Sequence, residues 1–211
     1  NERDSKDLLK SFGLKVPKAI SAANKDSAMA LTARARLKFP LVVKGLDFAH
    51  KTENNLVKVN IKNNSELNLS VDEMFKRAKH ILVEEMVMDN LAELSVGITR
   101  DNIGIFLLTI GAGGIFTELS TQRVNLLIPA TDKEIETAID TLAISSILDG
   151  YRGSPPADKK KIIVAIQAMT QYVKENLSII SEVEVNPLIV GKEEAVAADI
   201  LLTHILRESE T

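Results

Sequence analysis

The sequence predicts a mixed α+β protein made of two lobes of about 100 residues each. Short β-branched runs alternate with amphipathic segments along the 211 residues, without an internal repeat or a long linker. A hydrophobic fraction of 45% is sufficient for a real core. We expect an N-terminal helix and a first lobe at residues 1–87, a second lobe at residues 88–211, and a ligand cleft between them.

Capping residues and helix breakers predict the elements of the first lobe. Asp4 can cap a short helix that Gly13 ends. The sequence Ser70-Val71-Asp72-Glu73 has the form of a capping box, which predicts that a helix starts there. In chain order, we expect helices at residues 4–12, 24–37 and 70–80, an extended piece from residue 16, and strands at residues 41–44, 56–61 and 81–87.

The second lobe begins with a predicted β-hairpin. Strands at residues 92–99 and 103–110 flank the polar turn Arg100-Asp101-Asn102. Thr131-Asp132-Lys133-Glu134 is a second capping box, and Asp158 can cap a long amphipathic helix. The remaining expected elements are an extended run at residues 126–130, a helix at 131–142, and strands at 182–190 and 195–202. The residues expected on the buried face of the long helix are Ile162, Ile166, Met169 and Val173.

Composition narrows the range of functions. The net charge of −3 gives no indication of binding to nucleic acid or to an acidic membrane surface. The absence of cysteine excludes disulfides and thiolate metal sites, and it fits a cytoplasmic protein. No apolar run approaches the roughly 20 residues needed to span a bilayer. Aromatic residues are scarce, so stacking platforms for single-stranded nucleic acid are not expected.

A lysine and a histidine follow the buried strand that begins at Leu41. Lys44 stands at the end of this strand, where a cation can hold phosphate oxygens. His50 follows in a polar loop, from which an imidazole can reach the same space as a base or a nucleophile. The alternative is a surface lysine and a loop histidine that bonds a nearby carbonyl. Residue types alone leave both interpretations open.

Acidic and amide side chains alternate along a strand near the end of the chain. The period of two places Glu182, Glu184 and Asn186 on one face, and the closing hairpin can bring Asp199 beside Asn186. A carboxylate and an amide oxygen are hard ligands that suit Mg²⁺. The alternative is a strand with one solvated face. Asp199 argues against it, because a carboxylate in an apolar strand is costly unless it is paired or metal-bound.

Two further motifs are weaker. Gly111-Ala112-Gly113-Gly114 follows a strand, and backbone N–H groups in such a turn can cradle an anion. A purely structural turn is the alternative, since the motif is neither a Rossmann nor a Walker sequence. Val83-Glu84-Glu85-Met86-Val87 is expected to be a half-buried strand with outward-facing glutamates.

Six segments occur in a specific order along the chain. They are Lys44 with His50-Lys51-Thr52-Glu53, Val83-Glu84-Glu85-Met86-Val87, Glu93-Leu94-Ser95-Val96-Gly97-Ile98-Thr99-Arg100-Asp101, Gly111-Ala112-Gly113-Gly114-Ile115-Phe116-Thr117-Glu118, Gly150-Tyr151-Arg152-Gly153-Ser154-Pro155-Pro156-Ala157-Asp158, and Glu182-Val183-Glu184-Val185-Asn186-Pro187-Leu188. This order resembles the ATP-grasp domain of NDP-forming acyl-CoA synthetases, the ADP-forming acetate–CoA ligases related to the succinyl-CoA synthetase β subunit. The resemblance covers nearly the whole chain and is far more specific than any single motif.

The resemblance implies an ATP-grasp fold, in which two α+β lobes enclose a nucleotide cleft. ATP or ADP and Mg²⁺ are the implied cofactors, with Asn186 and Asp199 holding the metal. His50 matches the histidine that carries phosphate between ATP and a second phosphohistidine, and Glu184 would orient it. The implied nucleotide-binding residues are Lys44, Glu84, Glu85, Met86, Val87 and Glu93, and the implied phosphate loop contains Gly111, Gly113 and Gly114.

The resemblance also implies an activity and its partners. The module would belong to an acid–thiol ligase that forms acyl-CoA, ADP and phosphate from an acid, CoA and ATP. The CoA-binding and ligase domains would lie in a longer chain or in a separate α-type subunit, in an oligomeric enzyme. Family members usually have Asp where Gln122 stands and Gly-Gly where Asn55-Leu56 stands. These departures favour an alternative function, a non-catalytic regulatory domain as in acetyltransferases that resemble these synthetases.

Overall fold

The computed structural model describes residues 1–46, 56–114 and 122–205. The chain divides into two compact units. The smaller comprises Asn1–Asp4 and Pro17–Met88, and the larger comprises Ser5–Val16 and Asp89–Thr211. Residues 5–16 join the larger unit rather than the predicted first lobe, because Leu9 and Leu14 belong to the larger core. Helices packed on antiparallel sheets confirm the predicted α+β class.

The first helix, α1 (Glu2–Ser11), begins two residues earlier than expected. Its cap is Asn1 rather than Asp4, since Asn1 Oδ1 accepts a hydrogen bond from the Asp4 N–H at 3.2 Å. Gly13 follows the helix with φ +97°, a conformation that strains other residues. The predicted end of the helix is therefore confirmed, and the predicted cap is wrong.

The described residues of the smaller unit form a four-stranded antiparallel sheet with two helices. Its elements are β1 (Ala19–Ala22), α2 (Lys25–Ala35), β2 (Leu41–Gly45), β3 (Val57–Ile61), α3 (Asn64–Phe75) and β4 (Ile81–Glu85), and the strand order is β1-β4-β2-β3. The predicted helix start at Ser70 is wrong, because Asn63 caps α3 by accepting from the Glu66 N–H at 3.0 Å. The Glu66 carboxylate accepts in turn from the Lys62 N–H, which completes the cap.

Besides most of α1, the described residues of the larger unit form a six-stranded antiparallel sheet, three helices and a short 3₁₀ turn at Tyr151–Gly153. Its elements are β5 (Ala92–Arg100), β6 (Phe106–Ala112), β7 (Arg123–Leu127), α4 (Asp132–Asp140), α5 (Ser145–Leu148), α6 (Lys159–Glu175), β8 (Ile180–Val190), β9 (Ala195–Ala197) and β10 (Ile200–His204). The strand order is β10-β8-β5-β6-β7, with β9 beside β8. Both predicted caps, at Thr131 and Asp158, are confirmed. Among the described residues, no helix is long and apolar enough to cross a membrane.

The closing strand of the larger unit is interrupted where a single strand was predicted. The ladder breaks at residues 198–199, which lie opposite Asn186 and Pro187. Proline has no N–H to donate, so a regular ladder cannot run through this point. The register is the same on both sides, with Val185 opposite Ile200 and Leu188 opposite Ala197. Asp199 therefore stands across from Asn186, as the hairpin prediction expected.

Candidate nucleotide and metal site

Lys44 lies in β2 with its ammonium between two buried carboxylates. Its Nζ is 3.0 Å from Glu2 Oε1 and 2.7 Å from Glu84 Oε1, and the residue is only 6% exposed. Burial of an ammonium is costly unless opposite charges compensate it, which these glutamates do. The expectation of outward-facing glutamates is therefore wrong for Glu84. Nothing in the sequence around Glu2 indicated this partnership.

The end of β4 and the residues that follow it, predicted to bind the nucleotide, are hydrogen-bonded to the chain that precedes β2. Glu85 Oε1 accepts from the Lys38 N–H at 2.9 Å, and the Met86 N–H donates to the Pro40 carbonyl at 3.0 Å. Glu85, Met86 and Val87 are all half-buried. These bonds fix the course of the segment, and its contact with a nucleotide stays a prediction.

In the larger unit, the predicted phosphate-loop glycines pack closely against β5. The Gly113 N–H donates to the Glu93 carbonyl at 2.8 Å, and a Cβ at Gly113 would overlap the Leu94 carbonyl group. Gly114 has φ +58°, and a Cβ there would overlap the Glu93 carboxylate. Gly111 belongs to β6 and pairs with β5. Close backbone approach therefore requires glycine at positions 113 and 114 before any ligand is considered.

Asn186 and Asp199 lie opposite each other on facing strands, next to Gly114 at the end of β6. The Asn186 N–H donates to the Asp199 carbonyl at 3.1 Å, and Asn186 Oδ1 accepts from the Gly114 N–H at 3.3 Å. The Glu93 carboxylate lies beside Gly114 and so close to Asn186. Asn90 Nδ2 donates to Glu93 Oε1 at 2.8 Å. The structure thus brings together four of the predicted site residues: Glu93, Gly114, Asn186 and Asp199.

The pair of Asn186 and Asp199 fits a Mg²⁺ site in its donor chemistry. It offers one amide oxygen and one half-buried carboxylate from facing strands. Within the described residues, no three His, Cys, Asp or Glu side chains form a cluster that could hold a metal. A pair is compatible with Mg²⁺ because this ion usually keeps several waters and binds substrate phosphates as well.

Glu184 and His50 were the predicted catalytic residues. Glu184 lies on β8, where Val183 and Val185 are fully buried, so Glu182, Glu184 and Asn186 share the opposite face as expected. Its neighbours in register are Gly97 on β5 and Leu201 on β10. His50 lies outside the described residues, and so do Asn55 and the other residues of its loop.

Gln122 has a structural role that the sequence did not indicate. Its Nε2 donates to the Thr141 carbonyl at 3.0 Å, and its Oε1 accepts from the Ala143 N–H at 2.8 Å. These bonds connect the residue before β7 to the segment that follows α4. Only a side chain with both a donor and an acceptor at this length can make them.

A family model described as an ATP-grasp domain matches residues 1–203. The chain belongs to the ATP-grasp family. This assignment agrees with the antiparallel sheets described above and confirms the resemblance stated from the sequence.

Three similar proteins carry more information about this ATP-grasp chain. It is 30% identical over 200 residues to a 4-hydroxybutyrate–CoA ligase (ADP-forming) of Nitrosopumilus maritimus, covering 90% of this chain but 28% of the relative. It is 28% identical over 211 residues to the β subunit of acetate–CoA ligase (ADP-forming) II of Pyrococcus furiosus, covering 94% of this chain and 88% of the subunit.

The third is a solved structure. Acetyl-coenzyme A synthetase 1 of Ca. Korarchaeum cryptofilum, in complex with coenzyme A and Mg-AMPPCP, matches with a TM-score of 0.84 and 25% identity. The match covers 97% of the ATP-grasp chain and 92% of that chain. In that structure a phosphohistidine segment points towards the nucleotide-binding site.

Proposed function

We propose that this chain is the nucleotide-binding module of an ADP-forming acyl-CoA synthetase and that it transfers phosphate between ATP and a histidine. The observation that carries the proposal is the meeting of Glu93, Gly114, Asn186 and Asp199 at one end of the larger sheet. Oxygen ligands beside a glycine-rich turn are suited to a metal and a phosphate chain. The ligase names of both curated relatives support the same activity.

Asn186 and Asp199 are proposed to hold Mg²⁺, which would neutralise charge on the phosphates of ATP. Gly111, Gly113 and Gly114 are proposed to line the phosphate path, and Glu93 to face the ribose and phosphates. Lys44 is proposed to contact a phosphate, which requires its ammonium to turn from one of its two carboxylates. Glu84, Glu85, Met86 and Val87 are the proposed nucleotide-binding residues of the smaller unit.

His50 is proposed as the nucleophile. The lone pair of a neutral ring nitrogen attacks the γ-phosphorus in line, a P–N bond forms, and the bond to the β-phosphate oxygen breaks. The electron pair stays on that oxygen, which leaves as ADP. Glu184 is proposed to accept the N–H of an imidazole and so hold the ring in the correct tautomer.

The proposed enzyme needs parts beyond this chain. The chain spans 28% of one curated relative and 88% of the other. CoA binding and thioester formation are therefore proposed to reside in further domains, in a longer chain or a separate subunit. The cytoplasmic location and the oligomeric state expected from the sequence stay predictions. The alternative regulatory function has no support from the relatives reported above, which are ligases or synthetases.

The test is phosphate transfer from ATP labelled at the γ-position, in the presence of Mg²⁺. Acid-labile, alkali-stable label is expected on the wild-type chain and absent from His50→Ala, which should still bind ATP. Full labelling of His50→Ala would contradict the assignment of His50. A wild-type chain that binds ATP but takes up no label would contradict the proposal that the module accepts phosphate itself.

A further inference from the structure

One face of the larger sheet packs on helices, and the other carries polar and small residues together with the exposed leucines Leu107, Leu127 and Leu201. On β5 the side chains of Leu94, Val96 and Ile98 are fully buried, so alternate residues lie on the second face. Gly97 is the central residue of this second row. The same face carries Glu182, Glu184 and Asn186 on β8.

Gly97 stands between two polar neighbours in the sheet. In register, it pairs with Thr109 on β6 and with Glu184 on β8. The Thr109 hydroxyl donates to Asn125 Oδ1 at 2.8 Å, which fixes the next side chain along the row. Directly paired positions place their Cβ atoms about 4.5–5.5 Å apart, so a group lying on Gly97 is within reach of the Glu184 carboxylate.

The described residues give no reason for glycine at position 97. A Cβ built there meets no atom of the described residues within 4 Å, and Gly97 is not among the residues with positive φ. Gly113, by contrast, cannot accept a Cβ. A glycine inside a strand weakens the strand and often marks a place where another group approaches the backbone closely.

The negative charges beside Gly97 determine which kind of chemical group can bind over its backbone. Glu182 and Glu184 lie on the same face of β8, and the Thr203 hydroxyl donates to Glu182 at 3.2 Å. A phosphate pressed against these carboxylates would be repelled. A flat ring that donates an N–H would be attracted, and an imidazole is such a ring.

We propose that Gly97 is a positioning residue: its bare backbone is the platform on which the imidazole of an incoming histidine lies, with its N–H directed to Glu184. The inference rests on the proposed function and adds to it the place where the ring of this incoming histidine is held. In the Korarchaeum relative, a phosphohistidine segment points towards the nucleotide-binding site, which is the kind of segment this platform would receive.

The binding test uses free imidazole as the probe, at a constant pH above its pKa, with the full chain labelled for NMR. The expected result is a saturable shift of the Gly97 and Glu184 amides, weakened about tenfold or more in Gly97→Ala and further in Gly97→Val. Thr99→Val, which alters the same strand without adding volume, should bind as the wild type does. Absence of shifts at both amides, or equal binding by Gly97→Val, would overturn the proposal.

The transfer test uses the His50→Ala background, in which the chain cannot label that residue. Formation of phosphoimidazole from ATP and imidazole should fall about tenfold or more in Gly97→Ala, with the affinity for ATP unchanged. Gly97→Ala should be no less stable than its parent, which excludes unfolding as the cause. Imidazole binding at Gly97 without transfer in the parent would count against the proposed function alone. Transfer unaffected by Gly97→Val would count against the platform alone.

Discussion

Replacement of Gln122 by Asp tests whether this position serves the fold or the reaction. Aspartate is the residue that the family resemblance leads us to expect at this position, and it is one methylene shorter than glutamine. It can neither donate to the Thr141 carbonyl nor reach the Ala143 N–H, so both hydrogen bonds are lost. At 0.5–1.5 kcal/mol for each net hydrogen bond, and with an exposed side chain, we expect a loss of about 1–2 kcal/mol.

The assay is urea denaturation at neutral pH, combined with hydrogen exchange at the Ala143 amide, whose protection should fall. Gln122→Glu is the matched control, because it keeps the length and the acceptor but loses the donor. Gln122→Glu should lower the free energy of unfolding by about half as much as Gln122→Asp does. ATP affinity should not improve in Gln122→Asp. Unchanged stability and unchanged protection of Ala143, or tighter ATP binding, would refute the structural role assigned to Gln122.

Three other substitutions or conditions give distinct expectations. Lys44→Met should cost about 3–5 kcal/mol in urea unfolding, because Glu2 and Glu84 lose a buried ammonium; a loss below about 1 kcal/mol would contradict this. Thr32→Val should stabilise the chain by about 1 kcal/mol, because the buried Thr32 hydroxyl has no hydrogen-bond partner among the residues that the structure describes; a lower melting temperature would disprove it. The backbone and hydroxyl of Thr131 lower the pKa of Glu134 from 4.5, so its contribution to stability is present above pH 4.5 and lost as the pH falls through the lowered pKa. The stability difference between wild type and Glu134→Gln should therefore disappear in acid, and a constant difference would contradict the assignment.

Local signals predicted much of the fold. The capping boxes and the apolar spacing of the long helix depend on residues close in sequence, and the structure confirms Thr131, Asp158 and the buried positions Ile162, Ile166 and Met169. The α3 start was missed for a related reason. Ser70 matches a capping pattern, but Asn63 matches one as well and lies at the true start.

Long-range partnerships were harder to predict. Strand alternation and the hairpin placed Asn186 and Asp199 side by side, because register follows from local pattern. The bonds of Lys44 to Glu2 and of Gln122 to Ala143 join parts of the chain that no local pattern relates. Gly97 illustrates the same limit, since its importance emerges only when its neighbours across the sheet are known.

The most direct test of the central claim is calorimetric titration of this chain with ATP, with Mg²⁺ and with a chelator. The wild-type chain should bind ATP saturably below about 1 mM in Mg²⁺. Binding should weaken about tenfold or more without the metal and in Asp199→Ala, whereas Asp26→Ala, which removes an exposed carboxylate of α2, should have no effect. No binding up to about 1 mM, or binding unaffected by both Mg²⁺ removal and Asp199→Ala, would contradict a nucleotide and metal site at the meeting point of Asn186 and Asp199.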